Sequence, residues 1–337
     1  MLRQGSQAGM LPRRTLSRAV IAALAMPSVG RASAVVPDAI RNAIARQPRM
    51  HALLIQRGDD MIVTEAPRGP GLDRPANIKS CSKSIVALLL GASIERREIA
   101  GIGARLGDVA PRLIPPGATE GVADLTMDDL VTMRAGLEGT SGRNYGTWVS
   151  SPNWIAHVLR RPMIDRPGAR MIYSTGSTHV LGASLARASG TTLLALARDR
   201  LGGPLGFEVP AWTRDPQGFY LGGNEMALAP RAMLRIALAM RDGGRYGGEQ
   251  VIPAAWMRSL VEPRTRSPYS GLAYGYGWFL SQSGYIIARG YGGQVIAANP
   301  ERRLAVAITS DMSGPARSAG YFGELMALLE GPVLALA

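Results

Sequence analysis

Cysteine, histidine and lysine are all scarce in this 337-residue chain, and each scarcity excludes a class of chemistry. The single cysteine, Cys81, rules out an internal disulfide framework and a cysteine-based zinc site. The three histidines, His51, His157 and His179, fit no metal spacing such as H-E-x-x-H, so neither a metal nor another cofactor is expected. The absence of a G-x-S-x-G elbow argues against a Ser-His-Asp triad on an α/β-hydrolase sheet. No phosphate-binding loop is present, and basic residues occur only as isolated pairs such as Arg96-Arg97, Arg160-Arg161 and Arg302-Arg303. A nucleic-acid partner, which needs a clustered basic stripe, is therefore not expected.

Lysine carries the positive signal. Of thirty-eight basic residues only two are lysines, Lys79 and Lys83. Arginine keeps its proton in a protein, whereas a desolvated lysine can lose it, so the two are not equivalent in proton transfer. Ser80-Cys81-Ser82-Lys83 has the spacing S-x-x-K, and on a helix residues three apart share a face. The Lys83 amine can then reach the Ser80 hydroxyl and activate it without a histidine. An almost unbroken apolar run, Ile85 to Ala92, follows and places this helix in the interior. Ser80 falls at its first turn, where the helix dipole favours developing negative charge. Lys79 reads as a solvated flank, and Cys81 as a small packing residue.

Residues 1–34 read as an export signal. Arg13-Arg14-Thr15-Leu16-Ser17 is a twin-arginine pattern, Ala19 to Val29 is a short apolar stretch, and Ala32-Ser33-Ala34 offers an A-x-A cleavage site. The segment holds five arginines and no acid, so its removal lowers the formal net charge from +13 to +8. A periplasmic or secreted protein is expected, and no segment is long and apolar enough for stable membrane insertion, which needs about 20 residues.

The remainder, 35–337, reads as one catalytic unit of α+β class. Residues 51–65 form a hairpin around Gly58-Asp59-Asp60. Helical stretches follow, among them Met127–Met133, Val180–Ala188, Thr192–Leu201 and Pro230–Arg241. After Gly243-Gly244 the texture changes to short strands: Tyr274–Ser281, Tyr285–Arg289, Gln294–Asn299 and Leu304–Ser310. A last helix spans roughly Ala316–Leu329. Strands at both ends are expected to join in one antiparallel sheet flanked by helices, an α/β lobe from 35–79 and 245–337. A mostly helical lobe, about 80–244, stands against it with the site between them.

Two further polar clusters accompany Ser80 and Lys83. Tyr173 lies on a loop before a helix that starts near His179; it is either a packing residue or a phenol that relays a proton, and a role as base requires its pKa of about 10 to be lowered. Arg289-Gly290-Tyr291-Gly292-Gly293-Gln294 is either a glycine-rich turn or a place where substrate approaches the backbone closely. Amides there, with that of Ser80, could form an oxyanion hole. Trp148 and Trp154 either line an acyl pocket or pack under the loop.

These clusters, in this order, resemble the serine β-lactamase and penicillin-binding superfamily, and more closely its class C branch of esterases and 6-aminohexanoate-oligomer hydrolase-like enzymes. Asp124–Leu137, Leu221–Pro230 and Tyr274-Gly275-Tyr276-Gly277-Trp278 extend the likeness over most of the chain. The resemblance implies a β-lactamase/transpeptidase-like fold. It implies Ser80 as nucleophile, Lys83 as the group that takes its proton and Tyr173 as proton relay, with Ser80 and Gln294 amides as the oxyanion hole. Thr175, Tyr291, Gly292 and Gly293 fall at its substrate-binding positions. Two departures stand out: Thr175 replaces the asparagine of Y-x-N, and Tyr291 replaces the lysine of K-T-G. Both argue for a small ester, amide or short peptide-like substrate rather than β-lactams. A D,D-peptidase or β-lactamase, and a non-catalytic binding protein on the same fold, are the alternatives. The oligomeric state is open.

Overall fold

Helix α1 (Asp38–Ala45) opens the computed structural model, which describes residues 36–336; the expected export segment lies outside them. The hairpin β1 (Met50–Arg57) and β2 (Asp60–Glu65) follows, turning at Gly58 in the left-handed conformation. A two-residue strand β3 (Ala76–Asn77) leads into α2 (Cys81–Glu95), the helix that carries Ser80 and Lys83 at its start. From Cys81 to Gly91 every residue of α2 is buried, as expected of a helix apolar all round.

Short helices fill the middle: α3 (Leu106–Val109), α4 (Met127–Val131), α5 (Tyr145–Val149) and α6 (Trp154–Leu159). The longer α7 (Thr175–Ser189) starts four residues before the expected His179, because the Ser174 side chain caps it by accepting from the Ser177 amide. Helices α8 (Leu193–Ala197) and α9 (Gly203–Leu205) complete this part. Strand β4 (Ala227–Leu228) returns to pair with β3, and α10 (Pro230–Arg241) follows.

The rest of the chain is strand-rich. A small hairpin, β5 (Arg245–Tyr246) and β6 (Glu249–Gln250), precedes α11 (Ala254–Leu260). Then come β7 (Thr265–Arg266), β8 (Ala273–Tyr274), β9 (Phe279–Leu280), β10 (Ile286–Gly290), β11 (Gln294–Asn299) and β12 (Leu304–Ser310). Helix α12 (Tyr321–Leu328) starts five residues after the expected Ala316 and runs on into further helical turns, Leu329–Val333 and Leu334–Leu336, which close the fold.

The two ends do join. One eight-stranded sheet runs in the order β2-β1-β12-β11-β10-β9-β8-β7, with antiparallel pairing between each neighbouring pair. Its central strands partition side chains between two cores with a period of two. Leu54, Ile296, Ala298, Ala305 and Ala307 face the core of the helices, whereas Leu53, Ile55, Val295, Val306 and Ile308 face a second core. Helices α1 and α12 cover that second face. Strands β11 and β12 are buried from end to end, because helices cover both faces. Helix α10 lies in the stretch read as the helical lobe, yet it packs across β1, β11 and β12.

The expected strand Tyr274–Ser281 is broken into β8 and β9. Gly277 adopts φ +76, and a Cβ there would lie 2.4 Å from the Ala87 Cβ. At Gly275 a Cβ would meet the Leu260 carbonyl oxygen at 1.9 Å. These glycines form a tight connection pressed onto α2, held by the Ser84 hydroxyl donating to the Gly277 carbonyl at 2.6 Å.

Candidate active site

Ser80 precedes α2 with helical dihedrals (φ −68, ψ −6), so its hydroxyl does not cap the helix and is left for chemistry. Lys79 before it is held at φ +50, a conformation that only a strongly braced non-glycine residue adopts. Its brace is visible. The Lys79 ammonium donates to Glu225 at 2.9 Å, Asn77 donates to the same carboxylate at 2.6 Å, and the Asn77 side chain accepts from the Lys79 amide at 2.9 Å. Lys79 is thus a partner in a clamp between the strands β3 and β4, not the solvated flank expected. Glu225 is itself at φ +68.

Lys83 is buried, 2% exposed, and its Nζ lies 3.0 Å from Ser80 Oγ. It also donates to the Gly223 carbonyl at 2.6 Å and to Thr175 Oγ1 at 3.2 Å. Burial lowers its pKa from 10.5 to about 7, so a large fraction is neutral amine near neutral pH. Cys81, 0% exposed, has its thiol pushed far up by burial and therefore stays neutral beside it.

Tyr173 stands over the same point, with Lys83 Nζ 4.9 Å from its ring centroid. Burial raises the phenol pKa to about 12, against smaller opposing effects of the Ser80 hydroxyl and the Arg289 cation. The lowering that a base needs is absent. Tyr173 is a neutral proton donor.

Ser80 and Tyr173 open into a cleft of about 580 Å³, within the usual range for a small-molecule site. Phe279, Phe322, Ala316 and Ala319 form an apolar side beside Arg317 and Ser318, and Tyr269 and Tyr291 stand at the mouth, 73% and 48% exposed. Arg289, which the sequence had offered only as a neighbour of the glycine cluster, lines this cleft. Its guanidinium lies 4.0 Å from the Phe322 ring centroid and donates to Ser318 Oγ at 3.2 Å. Burial lowers its pKa to about 10, which still leaves a cation, and among the described residues no carboxylate pairs with it. The cation missing at Tyr291 is thus present two residues earlier. Alternation along β10 puts Arg289 on the face of Tyr285 and Ile287, toward α12, so the sequence pattern does not point to it.

The third cluster divides. Gly290 and Tyr291 line the cleft, and a Cβ on Gly290 would lie 2.2 Å from the Ile78 carbonyl oxygen, so this strand end presses on the backbone leading to Ser80. Gly292 and Gly293, expected to meet substrate, are buried at φ +85 and +106 in a turn against Met312 and Tyr321. Gln294, expected to supply an oxyanion amide, is fully buried and outside the cleft lining. Its side chain is tied to Ser310 in both directions, at 2.7 and 3.2 Å, and its carbonyl faces the Cys81 thiol. Thr175 is 3% exposed and also lies outside the cleft lining; its hydroxyl meets Lys83 and, at 2.9 Å, Ser141 Oγ. It is thus a hydrogen-bond partner of the lysine. Trp148 and Trp154 pack on one another and on His179, so of their two readings packing is the one seen.

Residues 47–329 match the family described as Beta-lactamase. Among solved structures, the fold is shared with a hydrolase with promiscuous acyltransferase activity, EstCE1, at TM-score 0.71 and 16% identity over 87% of this chain and 97% of that one. It is shared with a protein assigned as a 6-aminohexanoate-dimer hydrolase from Bacillus anthracis (TM-score 0.70, 14% identity, 88% and 80% of the two chains). A penicillin-binding protein homologue from Caulobacter crescentus gives 0.68 at 18% identity, over 84% and 94%. No curated protein matches the chain.

Proposed function

The chain belongs to the Beta-lactamase family, and on that premise we propose that it is an exported serine hydrolase cleaving small esters or simple amides through an acyl-enzyme on Ser80. The observation that carries the reading is the buried Lys83 amine, lowered to about 7 and 3.0 Å from a half-buried serine hydroxyl that opens on a cleft. Export rests on the leader pattern of residues 1–34.

Neutral Lys83 takes the Ser80 proton as Oγ attacks the carbonyl carbon. The oxyanion that forms is met by the Ser80 amide at the start of α2 and by the Tyr291 amide, which follows the strand end at Gly290; one such donor contributes about 3 kcal/mol. Tyr173, neutral because burial holds its pKa near 12, gives its proton to the leaving group and regains one from the Lys83 ammonium. Water then attacks the acyl-enzyme by the same path in reverse, and Lys83 ends neutral.

Fluorophosphonate labelling of the purified protein, with mass spectrometry, tests the nucleophile. An adduct on Ser80 that is lost in Ser80→Ala is expected; no adduct on well-folded protein would leave the binding-protein alternative. Lys83→Arg keeps the charge and loses the base, so kcat/KM for a short ester should fall about 10²- to 10⁴-fold. Near-normal turnover in that variant would remove Lys83 from its role.

Arg289, with no carboxylate paired to it among the described residues, lines the cleft and favours a second reading, a D,D-peptidase or β-lactamase whose substrate carries a carboxylate. Covalent labelling of Ser80 by a fluorescent penicillin, abolished in Ser80→Ala, would favour it over the esterase reading.

A further inference from the structure

His179 and Asp215 have fully buried side chains and belong to none of the catalytic groups above. Such a pair is costly to bury, and an apolar pair could fill the space between the Trp148 and Trp154 rings as well. We propose that His179 and Asp215 are positioning residues that fix Gly222-Gly223, and through the Gly223 carbonyl the Lys83 amine, in the orientation that activates Ser80. The proposal rests on the serine-hydrolase reading.

The hydrogen bonds assign the tautomer. Asp215 Oδ1 already accepts from the backbone amides of Gln217 and Phe219, at 2.9 and 2.8 Å. Its other oxygen lies 3.0 Å from His179 Nε2 and can only accept, so Nε2 carries the hydrogen. Nδ1 then presents a lone pair, and the Gly222 amide points at it from 3.4 Å. The next residue, Gly223, supplies the carbonyl that Lys83 meets at 2.6 Å.

Helix α7 organises both contacts. Thr175 and His179 are four residues apart on one face. The first gives Lys83 its hydroxyl partner, and the second holds the segment that gives its carbonyl partner. The glycines let that segment lie on the helix: a Cβ at Gly222 would come 2.4 Å from the Thr178 carbonyl oxygen, and at Gly223 2.9 Å from that of Thr175. A neutral lysine has two N–H bonds and one lone pair. With Gly223 O and Thr175 Oγ1 taking the two hydrogens, the lone pair is left facing Ser80 Oγ. A rotated amine would turn a hydrogen toward the serine instead.

Asp215→Asn tests this sharply. The single carboxamide oxygen is claimed by the Gln217 and Phe219 amides, so the NH₂ faces His179 Nε2. The ring hydrogen must move to Nδ1, where it opposes the Gly222 amide. We expect kcat for a short ester to fall about 10- to 100-fold, KM to change little, and the acidic limb of the pH profile to move to lower pH, because the Lys83 ammonium loses its carbonyl acceptor. A lower melting temperature with kcat and the pH limb unchanged would reduce the pair to packing and overturn the proposal. Should Asp215→Asn not fold, the wild-type protein decides. With three histidines in the chain, ¹⁵N-histidine NMR at pH 8 should give His179 as the Nε2–H tautomer, and the Nδ1–H tautomer would sink the proposal. Absence of any turnover or labelling in wild type would instead refute the hydrolase reading and leave the tautomer result standing.

Discussion

Lys83 makes both stability and activity respond to pH, over different ranges. Its amine is held near 7 in the folded protein and returns to about 10.5 when the chain unfolds. Between these values the unfolded chain binds a proton that the folded one does not, so stability rises with pH from about 7 to about 10.5 and the contribution is flat below 7. Lys83→Met removes this term and leaves other titrations in place. From pH 7 to pH 9 wild type should therefore gain about 2 to 3 kcal/mol relative to Lys83→Met, read as the difference in urea unfolding free energies. A pH-independent difference would mean the lysine keeps its ordinary pKa. Turnover should rise around pH 7 and level off about a unit above it, as the folded protein's amine becomes free to accept the serine proton. At this scale the S-x-x-K spacing and the rarity of lysine made Ser80 and Lys83 legible. The partners were not, because Glu225 and Gly223 lie some 140 residues away in sequence and only folding brings them to Lys79 and Lys83. The glycines of 290–293 signal close backbone approach but not what approaches, so the sequence does not distinguish a substrate from Met312 and Tyr321, on which Gly292 and Gly293 pack.

Ser80 is placed by the meeting of two elements, the start of α2 and the end of β10. Gly290 is where they touch, and its missing side chain leaves room for the Ile78 carbonyl. Gly290→Ala would put a Cβ 2.2 Å from that oxygen, a backbone atom with no side-chain freedom to yield. The strand end must then withdraw, at a cost of about 1–3 kcal/mol, and it carries Tyr291 away from Ser80. Fluorophosphonate labelling should slow by more than the lost stability explains, while Gly101→Ala, which meets nothing within 4 Å, changes neither. A wild-type labelling rate in Gly290→Ala would show that the strand end does not position the site. The elements themselves were readable to differing degrees. Strands β11 and β12 have the expected bounds, since an apolar run between turn residues has one good solution. The break between β8 and β9 was hidden: Tyr274-Gly275-Tyr276-Gly277-Trp278 alternates like a strand, and only contact with α2 and Leu260 shows what its glycines are for.

Across the whole molecule, one sheet joins two cores through single residues' neighbours. Leu54 enters the core of the helices while Leu53 and Ile55 enter the other, and β11 and β12 repeat the pattern. The joining of the two chain ends in that sheet was legible from strand-like runs at both ends. The seat of α10 on β1, β11 and β12 was not, because its apolar stripe suits a helical or a sheet neighbour equally well. This construction leaves neither core able to lose its packing alone, since the strands of one are the strands of the other. The tryptophans offer a test. Trp148, Trp154, Trp256 and Trp278 all lie in the core of the helices and Trp212 packs against it, so their fluorescence reports that side alone. Ile308 is fully buried in the opposite core, and Ile308→Ala should cost about 2–5 kcal/mol. If the two cores unfold together, the variant's urea midpoint falls equally by tryptophan fluorescence and by far-ultraviolet circular dichroism. A fluorescence midpoint left at the wild-type value while the dichroism midpoint falls would show that the sheet transmits nothing between its faces, and the site would then depend on the helical core alone.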